Sequence, residues 1–174
     1  TFPSTHDGLN AIRNFIHKGL RPAVVRLYDE VEAVPKISSY GFEKGFVLLI
    51  LVFEGNKEMS ELEAGMTKEI CLGNNGRYKG ELAAREWLET RFSTKKMLDF
   101  DAIKGGTADA IEVAAPWDCI ENVWREMRKA LEPMCTVVDC HFSHVYHNGA
   151  SVYVIYHAKT DGDDKAGEER YLQC

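Results

Sequence analysis

The sequence predicts an α+β fold, a mostly antiparallel sheet with helices on one face, arranged as paired ferredoxin-like units. Strand patterns and amphipathic helical patterns alternate along the chain. An Asn-Gly pair at 148–149 lies between two runs rich in Val, Ile, Phe and Tyr, which predicts an antiparallel hairpin. The length of 174 residues suits one domain with a real core, and two domains would be cramped.

The first half of the chain carries three helical patterns and two strand patterns. Apolar residues recur at helical spacing over residues 5–18, 57–72 and 81–92. Residues 23–28 predict a strand. Residues 46–53 are apolar throughout, so we expect a strand that is buried on both sides and lies in the centre of the sheet.

The second half continues this alternation. Residues 108–115 predict a strand, and Pro116 with Asp118 starts a helix that runs to about residue 131. The hairpin follows over residues 140–157. A charged, helix-like stretch comes after residue 163.

Composition and charge narrow the class of protein. Apolar residues make up 45% of the chain and charged residues 28%, as in ordinary globular domains. A net charge of -6 argues against binding to nucleic acid or anionic membranes, and the longest apolar run is too short to span a membrane. The 5 cysteines have no Cys-x-x-Cys spacing, which favours reduced thiols and a cytoplasmic protein.

We expect residues 1–174 to be a single domain cut from a longer protein. The chain starts at Thr1 without methionine and ends at Cys174 inside the charged stretch. No signal peptide is visible, but targeting signals could lie in the missing parts.

The predicted hairpin carries the best site candidate. With residues 148–149 as a two-residue turn, His144 faces Tyr153 and Tyr146 faces Ser151, with facing Cβ atoms about 5 Å apart. A side of a sheet with an imidazole, a phenol and a hydroxyl differs from a plain core face. We therefore expect a functional site there.

Four histidines between residues 141 and 157 raise the question of a metal. On extended strands their side chains divide between two faces, so that no three of them meet around one point as zinc requires. We expect no metal site.

Arg26 and Tyr153 each have a structural and a functional interpretation. Arg26 could be a solvated strand arginine paired with Asp29 or Glu30, or a guanidinium that holds an anion or the charge of a reduced cofactor. Tyr153 could be a core tyrosine or a general acid or base.

Several segments, in order along the chain, resemble one family of flavoproteins. Together they resemble the C-terminal domain of FAD-linked oxidases in the vanillyl-alcohol oxidase superfamily, and within it the alkyl-dihydroxyacetone-phosphate synthase branch. The segments are Phe2-Pro3-Ser4, Asp7-Gly8-Leu9-Asn10-Ala11-Ile12-Arg13, Pro22-Ala23-Val24-Val25-Arg26-Leu27-Tyr28-Asp29, Leu51-Val52-Phe53-Glu54-Gly55, Glu112-Val113-Ala114-Ala115-Pro116-Trp117-Asp118 and Ser143-His144-Val145-Tyr146…Gly149-Ala150-Ser151-Val152-Tyr153.

The resemblance implies an FAD-dependent oxidoreductase, in which an N-terminal domain outside this chain holds most of the FAD and this domain covers the flavin. The substrate would be a small hydroxylated organic molecule or an acyl-glycerone phosphate. The family's motif arginine falls on Arg26, which would support flavin and substrate, and its active-site tyrosine falls on Tyr153, which would transfer a proton. His144, expected opposite Tyr153, would orient or tune the phenol. The chain alone should be inactive, and its cut face could drive formation of a homodimer.

Two features depart from the family pattern. Leu98 stands where the synthase branch has an arginine that faces the substrate, which argues against phosphate recognition. The metal-binding segment Gly-Asp-Gly-Asn-x-His of the related lactate and glycolate dehydrogenases is absent from this sequence. The alternative to a flavoprotein domain is a ligand-binding or oligomerising α+β module without catalysis, since such sheets have many roles.

Overall fold

The structure is a computed structural model that describes residues 1–43, 45–93, 106–160 and 164–174. Leu98 lies outside these residues, as do Lys95 and Lys96 beside it. In the described part of the chain no helix is both long and apolar enough to cross a membrane. The elements in chain order are α1 (Thr5–His17), β1 (Val24–Tyr28), α2 (Ala33–Ser39), β2 (Leu48–Val52), α3 (Lys57–Gly73), α4 (Leu82–Thr90), β3 (Gly106–Pro116), α5 (Ile120–Leu131), β4 (Val137–Ser143), β5 (Gly149–Lys159) and α6 (Asp164–Gln173).

The five strands form one antiparallel sheet in the order β2-β1-β4-β5-β3, which confirms the predicted α+β class. β1 comes early in the chain but pairs with β4 in the middle of the sheet. β4 and β5 form the predicted hairpin, and β3 pairs with β5 along its whole length. The sheet therefore brings residues of β1 next to residues more than a hundred positions later.

One face of the sheet, which we call the apolar face, packs against α1 and α5. Successive strand residues point to opposite faces, and the even-numbered residues of β4 and β5 are almost all buried. Leu27, Phe142 and Val152 on this face are fully buried. Ile12 and Trp124 join them from the two helices. This layer is the main hydrophobic core.

A second, smaller core lies on the opposite face, over β1 and β2. Tyr28, Leu48 and Ile50 pack there with Ala33 and Ile37 of α2, and residues of α4 border the cluster. Leu49 and Leu51 of β2 are partly buried against the main core, so β2 is apolar on both sides. The expectation that it is a central strand is wrong, since β2 is at one edge of the sheet.

The hairpin register differs from the predicted one. Tyr153 faces His141 rather than His144, and Ser151 faces Ser143 rather than Tyr146. The strands are joined by the five residues 144–148, and Gly149 already belongs to β5. A Cβ atom at residue 149 would overlap the backbone carbonyl of Ala115, so the glycine permits close strand pairing rather than a tight turn.

The apolar alternation explains this register. Cys140 and Phe142 on β4 must share the core side with Val152 and Val154 on β5, because all four are completely buried. A pairing of His144 with Tyr153 would turn the apolar residues of one strand to the polar side of the other. The shift of three residues avoids that exposure.

Candidate functional site

The face opposite the main core is polar over β4, β5 and β3, and we call it the polar face. Its residues include Arg26, His141, Ser151, Tyr153 and Glu112, which share one side by strand alternation and register. Tyr153 lies between His141 and Glu112, which are its partners on the neighbouring strands. The register therefore sets His141 on one side of Tyr153 and Glu112 on the other.

His141 is a buried ionisable residue of the polar face, with 3% of its surface exposed. Its ring stacks on the ring of Tyr153, with centroids 4.7 Å apart and planes inclined by 20°. Its Nδ1 atom lies 2.9 Å from Oε2 of Glu32 and 3.2 Å from Nη2 of Arg26. Tyr28 contacts the ring edge-on, at a centroid distance of 6.1 Å.

The charges of this cluster follow from burial and pairing. Burial lowers the pKa of His141, and the hydrogen bond and charge of Glu32 oppose that change without reversing it. Burial acts to raise the pKa of Glu32, but its contacts with His141, Lys36 and Arg26 outweigh burial and hold that pKa below its usual value. We assign a neutral imidazole whose Nδ1–H donates to an ionised Glu32.

Arg26 lies at the border between the polar face and solvent, with 26% of its side chain exposed. It approaches Glu32 to 3.9 Å and lies over the ring of Tyr28. Its expected pairing with Asp29 or Glu30 is wrong, because those carboxylates pair with Arg128. The Nε atom of Arg26 is buried and has no hydrogen-bond partner within the described ranges.

His144 begins the loop after β4 and does not face Tyr153. Its φ of 47° lies in the left-handed region, which is uncommon for a residue other than glycine. Its Nδ1 lies 3.2 Å from Oε1 of Glu112, and the hydroxyl of Ser151 donates to the same oxygen at 2.6 Å. The bond from Ser151, and then that from His144, lowers the pKa of Glu112. The carboxylate thus links His144 to the neighbourhood of Tyr153.

A cleft of about 720 Å³ opens beside this cluster, between the end of α1, the start of β1 and the 144–148 loop. Arg26 and His144 both line it, together with His17 and Trp87. The structure therefore brings Arg26 and His144 to one cleft, although their sequence positions are far apart.

Asp139 is a second buried carboxylate on the polar face. Its side chain is 15% exposed, and its Oδ2 lies 3.9 Å from Nε2 of His157. Burial, followed by the charges of Glu32 and Asp29, raises the pKa of Asp139 to about 7. The folded protein therefore holds the proton of this carboxyl group to a higher pH than the unfolded chain does.

The four histidines of the hairpin occupy four different environments. His141 is stacked on Tyr153, and His144 contacts Glu112. His147 stacks on His17, and His157 lies near Asp139. Among the described residues no three histidine, cysteine, aspartate or glutamate side chains come together as a metal site.

The sequence did not reveal the pair of His141 and Glu32. Glu32 follows β1 and is 109 residues from His141, so only the pairing of β1 with β4 brings them together. One signal was available for His141: it alternates with Cys140 and Phe142, and it matches Tyr153 in parity once the apolar residues are aligned.

Known proteins share both sequence and fold with this chain. An uncharacterised FAD-linked oxidoreductase of Escherichia coli (strain K12), YgcU, is 25% identical over 167 residues, which cover 86% of this chain and 33% of that protein. Alkyldihydroxyacetonephosphate synthase of Dictyostelium discoideum is 21% identical and is covered to 31%. The chain thus spans about a third of the length of these relatives.

Two solved crystal forms of alkyldihydroxyacetonephosphate synthase superpose with TM-scores of 0.74 and 0.75, at 22% and 20% identity. The match covers 97% and 99% of this chain, and 37% of each synthase chain. At this identity the likeness shows a shared fold. The family model described as FAD linked oxidases, C-terminal domain, matches residues 1–174. The chain therefore belongs to the family of C-terminal domains of FAD linked oxidases.

Proposed function

We propose that this domain covers the flavin of an FAD-dependent oxidoreductase and forms its substrate pocket, with Tyr153 as the group that transfers a proton. The observation that carries the proposal is the polar face of a sheet whose other face is an ordinary core. Ionisable and hydroxyl side chains of four strands lie on that face, and one of them, His141, stacks on Tyr153. Family membership supplies the cofactor class.

The residues present suit a bound flavin and substrate. The buried Nε–H of Arg26 lacks an acceptor among the described residues, and an unmet buried donor is costly unless another group satisfies it. Arg26 also lines the cleft, so its guanidinium would attract an oxygen or a negative charge placed there. Arg26 would therefore hold the flavin or the substrate from this side.

FAD, when bound, accepts two electrons from an organic substrate. The role left to this chain is to orient the substrate, exclude water and move a proton. The phenol oxygen of Tyr153 would exchange a proton with the substrate. His144 lines the cleft that Arg26 also lines, and through its contact with Glu112, the residue opposite Tyr153 on β3, it would orient or tune the phenol.

The relatives suggest two substrate classes for the whole protein. The resemblance to the synthase branch implies an acyl-glycerone phosphate, and the resemblance to the wider group of FAD-linked oxidases implies a small hydroxylated molecule. Leu98 in place of the synthase arginine favours the second class. We propose a domain that acts together with an N-terminal FAD-binding domain in one polypeptide.

The test uses the full-length protein that carries this chain. It should be yellow with a flavin spectrum, and a panel of small hydroxy acids, alcohols and an acyl-glycerone phosphate should contain a compound that bleaches the flavin without oxygen. Tyr153→Phe should retain the flavin spectrum and lower turnover by about 100- to 10,000-fold, the usual contribution of acid–base catalysis.

Tyr171→Phe is the matched control, since it removes the same hydroxyl from a half-exposed tyrosine on α6. It should leave turnover unchanged. Full turnover in Tyr153→Phe would discard the acid–base role, and a colourless full-length protein would discard the flavin.

A further inference from the structure

We infer that His141 and Glu32 form a positioning pair that fixes the phenol of Tyr153, so that Asp29, Glu32, His141 and Tyr153 make one continuous line of contacts through the sheet. This inference rests on the proposed function for its catalytic meaning. The contacts that define the pair are observed in this chain and do not depend on the proposed function. The sequence placed the partner of Tyr153 in the loop at His144, whereas the structure places it inside the sheet.

The first contact is the stack between the two rings. The imidazole of His141 and the phenol ring of Tyr153 are nearly parallel, at 20°, with centroids 4.7 Å apart. Facing residues on β4 and β5 hold their Cα atoms in register, so the backbone keeps the rings in contact. Rotation of the phenol about its first side-chain torsion would break this stack.

The second contact prevents the imidazole itself from turning. The Nδ1–H of His141 donates to Oε2 of Glu32 at 2.9 Å, and both side chains are largely buried, at 3% and 11% exposed. A charge-assisted hydrogen bond is shorter and stronger than one between neutral groups. Tyr28 blocks the ring from the neighbouring strand. The imidazole is therefore locked in one orientation.

The third contact fixes Glu32. The fully buried carboxylate of Asp29 accepts hydrogen bonds from the backbone N–H groups of Val31 and Glu32, at 3.0 and 2.9 Å. Arg128 of α5 pairs with the same aspartate. The turn that carries Glu32 is thus fixed to the core. Through Glu32 and His141, the phenol ring of Tyr153 is fixed as well.

Such a line of contacts matters because proton transfer depends on position. A displacement of about 1 Å in a reacting group can cost about 100-fold in rate. Groups that hold a reactive side chain by packing and hydrogen bonds supply this precision. His141 does so through the face of the phenol ring rather than through its oxygen, and Glu32 holds His141 in place.

The experiment reads the phenol directly, without turnover. The full-length protein is labelled with 3-fluorotyrosine, and the ¹⁹F signal of Tyr153 is assigned as the one missing in Tyr153→Phe. We expect one narrow signal in the native protein. His141→Leu should shift and broaden it, and His141→Phe, which restores a ring, should return a narrow signal.

Two variants of Glu32 separate positioning from general damage to the fold. Glu32→Ala removes the acceptor of the Nδ1–H bond and should broaden the Tyr153 signal. Glu32→Gln keeps an acceptor oxygen and should preserve the narrow signal. His6→Gln, at an exposed histidine on α1 that contacts Glu121, is the control, and the Tyr153 signal should stay in place. The remaining tyrosine signals report whether each variant is folded, and Glu32→Ala decides the matter if His141→Leu fails to fold.

An unmoved Tyr153 signal in a folded Glu32→Ala or His141→Leu protein would overturn the inference, and so would a larger change in His6→Gln. With a compound that bleaches the flavin, His141→Leu should lower kcat by about 10- to 100-fold with little change in KM. Loss of the flavin would defeat the proposed function and leave the ¹⁹F result standing. A shifted Tyr153 signal together with an unchanged kcat in His141→Leu would show that the pair positions the phenol without contributing to turnover.

Discussion

The two faces of the sheet are built from the same five strands, yet they are specified in different ways. On the apolar face Leu27, Phe142 and Val152 are fully buried against α1 and α5. On the polar face the rings of His141 and Tyr153 form one stacked pair, which depends on these two residues facing each other. The apolar face needs only side chains of suitable size and polarity. The polar face depends on one register of β4 against β5, because a shifted register would place a different residue opposite Tyr153.

This difference explains why the polar face is better suited to carry function. A buried polar cluster is costly unless each of its groups has a partner. His141 and Glu32 satisfy each other, while Asp139 and Arg26 each keep one buried polar atom without a hydrogen-bond partner in the described part of the chain. The unpartnered buried atoms of Arg26 and Asp139 therefore lie on the face of the sheet opposite the main core.

The largest expected difference between the faces concerns stability. Phe142→Ala should lower the free energy of unfolding by about 3–5 kcal/mol, since it leaves a cavity in a fully buried site. Ser143→Ala, one residue later and on the polar face, should change it by less than about 0.5 kcal/mol. Urea unfolding of the two variants makes the comparison. Equal effects would mean that the faces do not differ in this way.

A smaller effect concerns pH and should come from the polar face. The pKa of Asp139, raised by burial to about 7, lies above its unfolded value of 3.8. Between these values the folded state holds a proton that the unfolded state has released, so stability falls as the pH rises. One such group contributes up to about 1.4 kcal/mol per pH unit.

Asp139→Asn should therefore reduce the fall in the free energy of unfolding as the pH rises. Urea unfolding at several pH values between about 4 and 8 measures it, and Asp29, whose pKa burial raises to about 6, should keep part of the slope in the variant. Asp109→Asn, at an exposed position on β3, is the control and should leave the slope as it is. Parallel profiles for the native protein and Asp139→Asn would rule out a buried proton at this site.

The helices and strands that carry regular apolar patterns were predictable from sequence. The helix predicted over 5–18 is α1, and the strand predicted over 108–115 is β3. α2 was not predicted, because it is a helix of 7 residues whose start depends on Asp29. Its two buried residues then pack on strands, which is a tertiary effect.

The candidate site was predictable only in part. Tyr153 and Arg26 were identified by resemblance, and the structure places both on the polar face. His144 was assigned to the wrong position because the Asn-Gly pair was read as a two-residue turn, whereas Gly149 lies in β5 against Ala115. The pairing with Glu32 depends on a contact 109 residues away, and local sequence does not contain it.

The smallest expected effect compares two histidines on the hairpin. His141→Gln should destabilise the fold by about 1–3 kcal/mol, because it removes a buried stack and strains the bond to Glu32. His144→Gln should cost less than about 0.5 kcal/mol, since His144 is 67% exposed and its bond to Glu112 lies in solvent. The same substitution at two positions three residues apart thus compares a buried ring of the sheet, that of His141, with an exposed ring of the loop, that of His144. If His144→Gln proved the more destabilising in thermal unfolding, the loop rather than the sheet would be the ordered part of the site.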